Sequence, residues 1–88
     1  MNHSKYALVF GATTHIGKIV SKILLKYGYS VILVDTDINK LNDFKAELIT
    51  VFPNVESETQ KAEILNIDFS VWRDSTTLEH KIREIIDI

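Results

Sequence analysis

The 88-residue sequence contains no cysteine, one proline and three glycines. Without cysteine there is neither a disulfide nor a thiolate metal site, and the redox compartment stays undetermined. Charge of one sign is also scarce. Ten basic residues against twelve acidic ones leave a net charge of −2, which gives no electrostatic footprint for nucleic acid or an anionic membrane. No apolar run approaches the ~20 residues that span a bilayer. Only Met1 to Lys5 precede the first apolar run, which is too little for the apolar segment of a signal peptide. Linkers, repeats and low-complexity tracts are absent. His3, His15 and His80 are scattered at no metal-ligand spacing, and Ile19 stands where a Walker loop would place its magnesium-binding hydroxyl after Gly17-Lys18. Hydrophobic content of 45% argues against disorder. The expectation is one small soluble domain, cytoplasmic, at a size where core burial only marginally offsets chain entropy.

What is present alternates between two periodicities. Tyr6-Ala7-Leu8-Val9-Phe10 is a continuous apolar run closed by Gly11, the pattern of a strand buried on both faces. Ile16, Ile19, Val20, Ile23, Leu24 and Tyr27 follow at helical spacing up to Gly28, predicting one apolar helix face. Lys18, Lys22 and Lys26 recur on another face, as a solvated stripe or as phosphate-steering cations. Val31 to Val34 reads as a second buried strand, with Asp35 at its end. Leu41, Phe44, Leu48, Val51 and Phe52 predict a second helix, which Pro53 forbids from continuing. The polar stretch 54–60 reads as a loop, and Ala62 to Ile67 as a third strand ending at Asp68. Thr76 with Glu79 matches a capping box opening a last helix, whose inner stripe is Leu78, Ile82, Ile85 and Ile86. Trp72 reads as a core plug. The order βαβαβα predicts an α/β protein with a parallel sheet, and right-handed crossovers give strand order 3-2-1. This is a partial Rossmann fold, the first half of a doubly wound sheet with flanking helices.

The chemistry sits in the loop Phe10-Gly11-Ala12-Thr13-Thr14-His15-Ile16-Gly17-Lys18. A dinucleotide pyrophosphate is drawn to unpaired amides and the positive dipole at a helix N-terminus. Glycines permit the tight turn and close backbone approach there. A carboxylate about 20 residues on, at the end of the next strand, takes the ribose hydroxyls, and Asp35 stands at that distance. The blander reading of Gly11 and Gly17 is tight strand-to-helix packing alone.

Residues 10–17 resemble the Thr-Gly-x-x-x-Gly-Ile-Gly motif of the short-chain dehydrogenase/reductases. Gly17-Lys18, the segment 24–30, Asn39-Lys40-Leu41 and Ile67-Asp68-Phe69-Ser70 are similar to the branch holding 17β-hydroxysteroid dehydrogenases, very-long-chain 3-oxoacyl-CoA reductases and hydroxysteroid dehydrogenase-like proteins. The resemblance covers essentially the whole chain as the N-terminal half of such a protein. It implies that Gly11 forms the turn, that His15, Ile16 and Gly17 lie at the pyrophosphate, and that Thr13 offers a hydroxyl beside the phosphates. It implies further that Asp35 takes the adenine ribose and that Asp68 and Phe69 edge the adenine ring. Asp68 has a second reading as the cap of the following segment. Association with the endoplasmic reticulum is implied by the resemblance alone.

Two residues depart from the motif. Phe10 replaces the threonine that in the family helps tie the loop by hydrogen bonding. His15 replaces the middle glycine and puts a side chain where phosphate would approach, which weakens or abolishes binding unless a protonated imidazole donates to the phosphate. The family's serine and Tyr-x-x-x-Lys pair have no counterpart. Tyr6, Tyr27 and Tyr29 lie on or beside core elements with no lysine four residues on, so residues 1–88 are expected to be a truncated dinucleotide-binding domain inactive by itself. Two functional classes stay open: an NAD(P)-binding half of a ketone or 3-oxoacyl-CoA oxidoreductase, and a non-catalytic interaction protein or pseudoenzyme with little or no cofactor binding. NAD is expected over NADP, because Asp35, Thr36 and Asp37 offer two carboxylates and no cation; the alternative is that Asp37 merely caps the next helix, leaving Asp35 alone to discriminate. Self-association, or pairing with another chain, is expected through the Tyr6–Phe10 strand edge.

Overall fold

The computed structural model describes residues 5–56, 60–67 and 75–86, the last segment with side chains from 79 to 85. Three strands, β1 (Tyr6–Phe10), β2 (Ser30–Asp35) and β3 (Ala62–Asn66), alternate with three helices, α1 (His15–Lys26), α2 (Ile38–Val51) and α3 (Ser75–Ile86). The sheet is parallel with order β1-β2-β3, in the register Tyr6 with Ser30 and Val31 with Ala62. This is the partial Rossmann arrangement expected from the sequence.

β2 is central and carries the core on both faces. Val31 and Leu33 point to one side, where Val9, Ala62, Leu25, Leu41, Phe44 and Leu48 close around them under α1 and α2. Ile32 and Val34 point to the other, packing with Leu65 and Ile67 against Tyr6, Ile82 and Ile85, so α3 covers that face. Alternation along one strand thus builds two apolar layers, as its uninterrupted run of branched residues requires. β1 departs from the expected burial on both faces. Val9 is buried, but Leu8 and Phe10 stay exposed on the α3 side, because β1 is an edge strand and α3 packs over β2 and β3 residues.

The helix ends follow local chemistry. Gly28 at φ +90° closes α1 with paired bonds, Tyr29 N–H to the Leu24 carbonyl at 3.0 Å and Gly28 N–H to the Leu25 carbonyl at 3.1 Å, the Schellman pattern. α2 stops at Val51 because Phe52, preceding Pro53, is extended. The expected polar loop hides two anchors. Val55 joins the core, and Gln60 donates from Nε2 to the carbonyls of Leu25 (2.7 Å) and Tyr29 (2.9 Å), stitching the loop to the end of α1.

The orientation of α1 corrects the periodicity reading. Its buried residues are Gly17, Ser21 and Leu25, with Leu24 partly buried, whereas Ile16, Ile19, Val20, Ile23 and Tyr27 are exposed. Small residues at i and i+4 let the helix approach the sheet closely, and Ser21 satisfies its buried hydroxyl by donating to the Gly17 carbonyl at 2.8 Å. Of the lysine stripe, Lys22 pairs with Glu47 of α2 at 2.6 Å and the Lys18 ammonium lies 5.5 Å from the Phe44 ring centre. Both engage α2. Asp68, Phe69, Trp72 and the Thr76 capping side chain lie outside the described residues, as do the side chains of Leu78 and Ile86.

Candidate dinucleotide-binding site

The two glycines of the loop serve different needs. Gly11 has φ +65°, the left-handed region, while an added Cβ would meet only ordinary contacts at 3.7 and 3.8 Å, so conformation rather than space demands glycine there. Gly17 is the reverse. It is helical, but a Cβ would stand 2.1 Å from the Gly11 carbonyl oxygen and 2.8 Å from Ala12 Cα. The start of α1 therefore rests directly on the loop backbone.

Thr14 ties that contact. Its hydroxyl donates to the Gly11 carbonyl at 2.7 Å and accepts from the Gly17 N–H at 3.1 Å, and its own N–H reaches the Gly11 carbonyl at 3.0 Å. As N-cap, it also accepts the Lys18 N–H at its carbonyl, 2.9 Å away. With Phe10 where the family has threonine, Thr14 supplies hydrogen bonding that holds the loop. The signal for this was a threonine three residues before Gly17 at a helix start. The Gly17 amide is consequently engaged, while the amides of His15 and Ile16 donate to no group among the described residues. These two N–H groups open the positive end of α1, with the exposed His15 side chain beside them.

Across from the loop, the end of β2 presents Asp35. Its Oδ2 accepts from both Thr13 N–H (2.9 Å) and Thr13 Oγ1 (2.6 Å), and its Oδ1 from Thr36 N–H (2.8 Å). Burial alone pushes this carboxyl up, but the Thr13 and Thr36 hydrogen bonds and the nearby Lys40 charge outweigh it, holding Asp35 below the usual carboxylate range. The Asp35 carbonyl accepts from Ile67 N–H at 2.9 Å and Asn66 Nδ2 at 3.2 Å, bringing the end of β3 alongside. Gly11, Thr13, His15, Ile16, Gly17 and Asp35 thus converge at the carboxyl end of the sheet, where ligands of open α/β folds bind.

Asp37 does not join them. Its Oδ1 accepts the N–H groups of Asn39 (3.0 Å) and Lys40 (3.1 Å) as the N-cap of α2. Of the two readings of Asp37 the structure takes the cap: that carboxylate is spent on α2, leaving Asp35, with Lys40 close enough to bias it. Among the described residues there is no cluster that could hold a metal ion.

A parallel β-α-β unit whose first turn carries the glycines, with a carboxylate closing the second strand, defines the chain as a partial Rossmann-like α/β unit. Over most of its length it is related to the short-chain dehydrogenase/reductases. It is 32% identical over 79 residues to a very-long-chain 3-oxoacyl-CoA reductase of Caenorhabditis briggsae, covering 90% of this chain and 25% of that one. The corresponding enzyme of Aspergillus niger is 30% identical over 82 residues, 93% of this chain and 22% of the relative. That of Mycosarcoma maydis is 31% identical over 85 residues, 94% and 23%. The ancestry is that of an oxidoreductase, and the chain spans about a quarter of the length of the curated relatives it matches. No family model matches the chain, and no solved structure does. Among the described residues, no helix is long and apolar enough to cross a membrane.

Proposed function

We propose that residues 1–88 form the first half of a dinucleotide-binding domain of a short-chain dehydrogenase/reductase-like oxidoreductase, of ketone or 3-oxoacyl-CoA type. In this reading the pyrophosphate meets the His15 and Ile16 amides at the start of α1. Gly11 makes the turn, Gly17 brings the helix onto it, and Asp35 takes a ribose hydroxyl. The carrying observation is the Thr13–Asp35 contact, which fixes the carboxylate beside the loop before any ligand arrives. A carboxylate accepts at about four sites, and the three described bonds leave capacity for a hydroxyl. The nicotinamide would supply hydride chemistry once bound. The groups that move the proton in the family, a serine and a Tyr-x-x-x-Lys pair, are not in this sequence, so turnover is not assigned to these residues.

NAD(H) is favoured over NADP(H), because the Asp35 carboxylate repels a 2′-phosphate where it would accept from a hydroxyl. Affinity is weak, because the His15 Cβ stands at the phosphate approach. Fluorescence or calorimetric titration of the pure chain with NADH and NADPH tests this: saturable NADH binding tighter than NADPH is expected. Saturation by neither supports the second reading, a non-catalytic interaction protein, which the exposed apolar residues Ile16, Ile23 and Tyr27 of α1 favour.

A further inference from the structure

Asp35 has one acceptor place left for a ligand. Each oxygen of a carboxylate accepts about two hydrogen bonds. Oδ2 already holds two, from the Thr13 N–H at 2.9 Å and the Thr13 hydroxyl at 2.6 Å. Oδ1 holds one, from the Thr36 N–H at 2.8 Å. Among the described residues the remaining place is therefore on Oδ1. The ribose of an adenine dinucleotide carries two hydroxyls, and a hydroxyl taken from water without a partner is costly. The carboxylate cannot serve both. Thr13 supplies the second acceptor. An ionised carboxylate only accepts, so the Thr13 proton lies in the contact with Oδ2, and the Oγ1 lone pairs are left to accept. No group among the described residues donates to that oxygen, and Thr13 and Asp35 are both half-buried, within reach of a ligand.

We propose that Thr13 reads the adenosine ribose directly: its Oγ1 accepts the 3′-hydroxyl while Asp35 Oδ1 accepts the 2′-hydroxyl. This rests on the dinucleotide reading above, and the connectivity of the ribose decides which hydroxyl goes where. The 3′-carbon adjoins the carbon that bears the 5′-phosphate arm, whereas the 2′-carbon adjoins the one that bears adenine. Thr13 lies in the loop leading to the open His15 and Ile16 amides, so it meets the hydroxyl nearer the phosphates. Asp35 closes β2 and meets the other, at the position where its charge opposes a 2′-phosphate. The short Thr13–Asp35 contact then does two things. It fixes the carboxylate, and it turns Oγ1 and Oδ1 into a pair of acceptors matched to a pair of vicinal hydroxyls. The Thr13 hydroxyl serves the ribose rather than the phosphates.

Calorimetric titration of the full chain with adenosine 5′-diphosphate and its 2′-deoxy and 3′-deoxy forms tests this, because these ligands carry the ribose and phosphates without the nicotinamide. The native chain should lose about fivefold in affinity with the 3′-deoxy form, the value of a bond between neutral groups. It should lose about tenfold with the 2′-deoxy form, whose partner is charged. Thr13→Val puts a methyl group in place of Oγ1, which covers Oδ2 and cannot accept. It should erase the preference for the 3′-hydroxyl and keep the preference for the 2′-hydroxyl, while Thr13→Ser, which retains a hydroxyl, should keep both. A Thr13→Val chain that loses all three nucleotides by one common factor makes Thr13 a support for Asp35 only and overturns the proposal. So does a 3′ preference that survives valine, or a native chain indifferent to the 3′-hydroxyl. In each of these cases binding persists and the dinucleotide reading stands. Failure of all three nucleotides and of NADH to saturate the chain overturns that reading and the proposal together.

Discussion

Thr13 gives both its amide and its hydroxyl to the same carboxylate oxygen of Asp35, at 2.9 and 2.6 Å, joining the β1–α1 loop to the end of β2. The hydroxyl contact is the shorter and is charge-assisted, in the range of strong O–H···O⁻ bonds. Thr13→Val removes it and keeps the shape and the amide. The expected cost is about 1 kcal/mol, toward the low end for a bond to a charged group because Asp35 is only half-buried. Urea unfolding at neutral pH checks the cost, and an NMR titration should show the Asp35 pKa rising toward its ordinary value.

The same clasp makes a pH prediction. A carboxyl held below its unfolded value contributes stability that is fully present above the ordinary value near ~3.9 and is lost as pH falls through the lower, folded one. Stability should therefore fall more steeply below about pH 4 in the native chain than in Thr13→Val. Parallel denaturation series at neutral and acid pH would show the two chains converging. A gap that stays constant with pH would mean that the hydroxyl acts through something other than the carboxylate charge.

Much of this fold is legible because it rests on signals that do not depend on tertiary context. The unbroken runs of β1 and β2, Pro53 after α2 and Gly28 after α1 mark elements whose observed bounds differ from the pattern by a few residues at most. The face of α1 was not legible. Periodicity locates an apolar stripe but not the neighbour it meets, and Gly17 and Ser21 bury by being small, a property that hydrophobic spacing does not register. The same blindness covers Thr14, whose role depends on Gly11 and Gly17 lying in contact, and Gln60, a polar residue buried because two carbonyls need it. Asp35 was visible from its distance to the glycines. That Asp37 would be consumed as a cap was the alternative its place before a helix allowed, and the structure takes it.

Cofactor preference should follow Asp35 alone. Asp35→Ser removes the carboxylate while leaving a hydroxyl, and Lys40 then stands near a 2′-phosphate without a competing charge. NADPH affinity should rise relative to NADH by roughly tenfold, the ~1.4 kcal/mol typical of losing one partly screened repulsion. Paired titrations of native and variant chains measure the ratio. An unchanged ratio would place the ribose away from the end of β2.

Gly17 sets two effects of opposite sign against each other. Alanine within a helix is favoured over glycine by about 1 kcal/mol. Here its Cβ would fall 2.1 Å from the Gly11 carbonyl oxygen, a backbone atom that cannot rotate away. Overpacking of this kind costs typically about 1–3 kcal/mol, and the loop must shift to relieve it. Gly17→Ala should thus destabilise by up to about 2 kcal/mol net and displace the His15 and Ile16 amides. Thermal unfolding reports the first effect and loss of NADH binding the second.

His15 presents the opposite case, a side chain where the family has none. It is the first residue of α1 and already helical, so glycine is not required for the backbone, and the exposed imidazole makes no hydrogen bond among the described residues. His15→Gly costs helix propensity of about 0.5 kcal/mol, and less at a first-turn position, while clearing the approach to the two open amides. Dinucleotide affinity should rise, by an amount that calorimetry reads directly at neutral pH. The competing outcome is equally specific. If affinity falls instead, the imidazole is itself a phosphate donor, and His15→Gln, which keeps a side-chain N–H, should then retain more of the native affinity than His15→Gly. A glycine variant that binds more tightly than the native chain identifies His15 as an obstruction rather than a ligand.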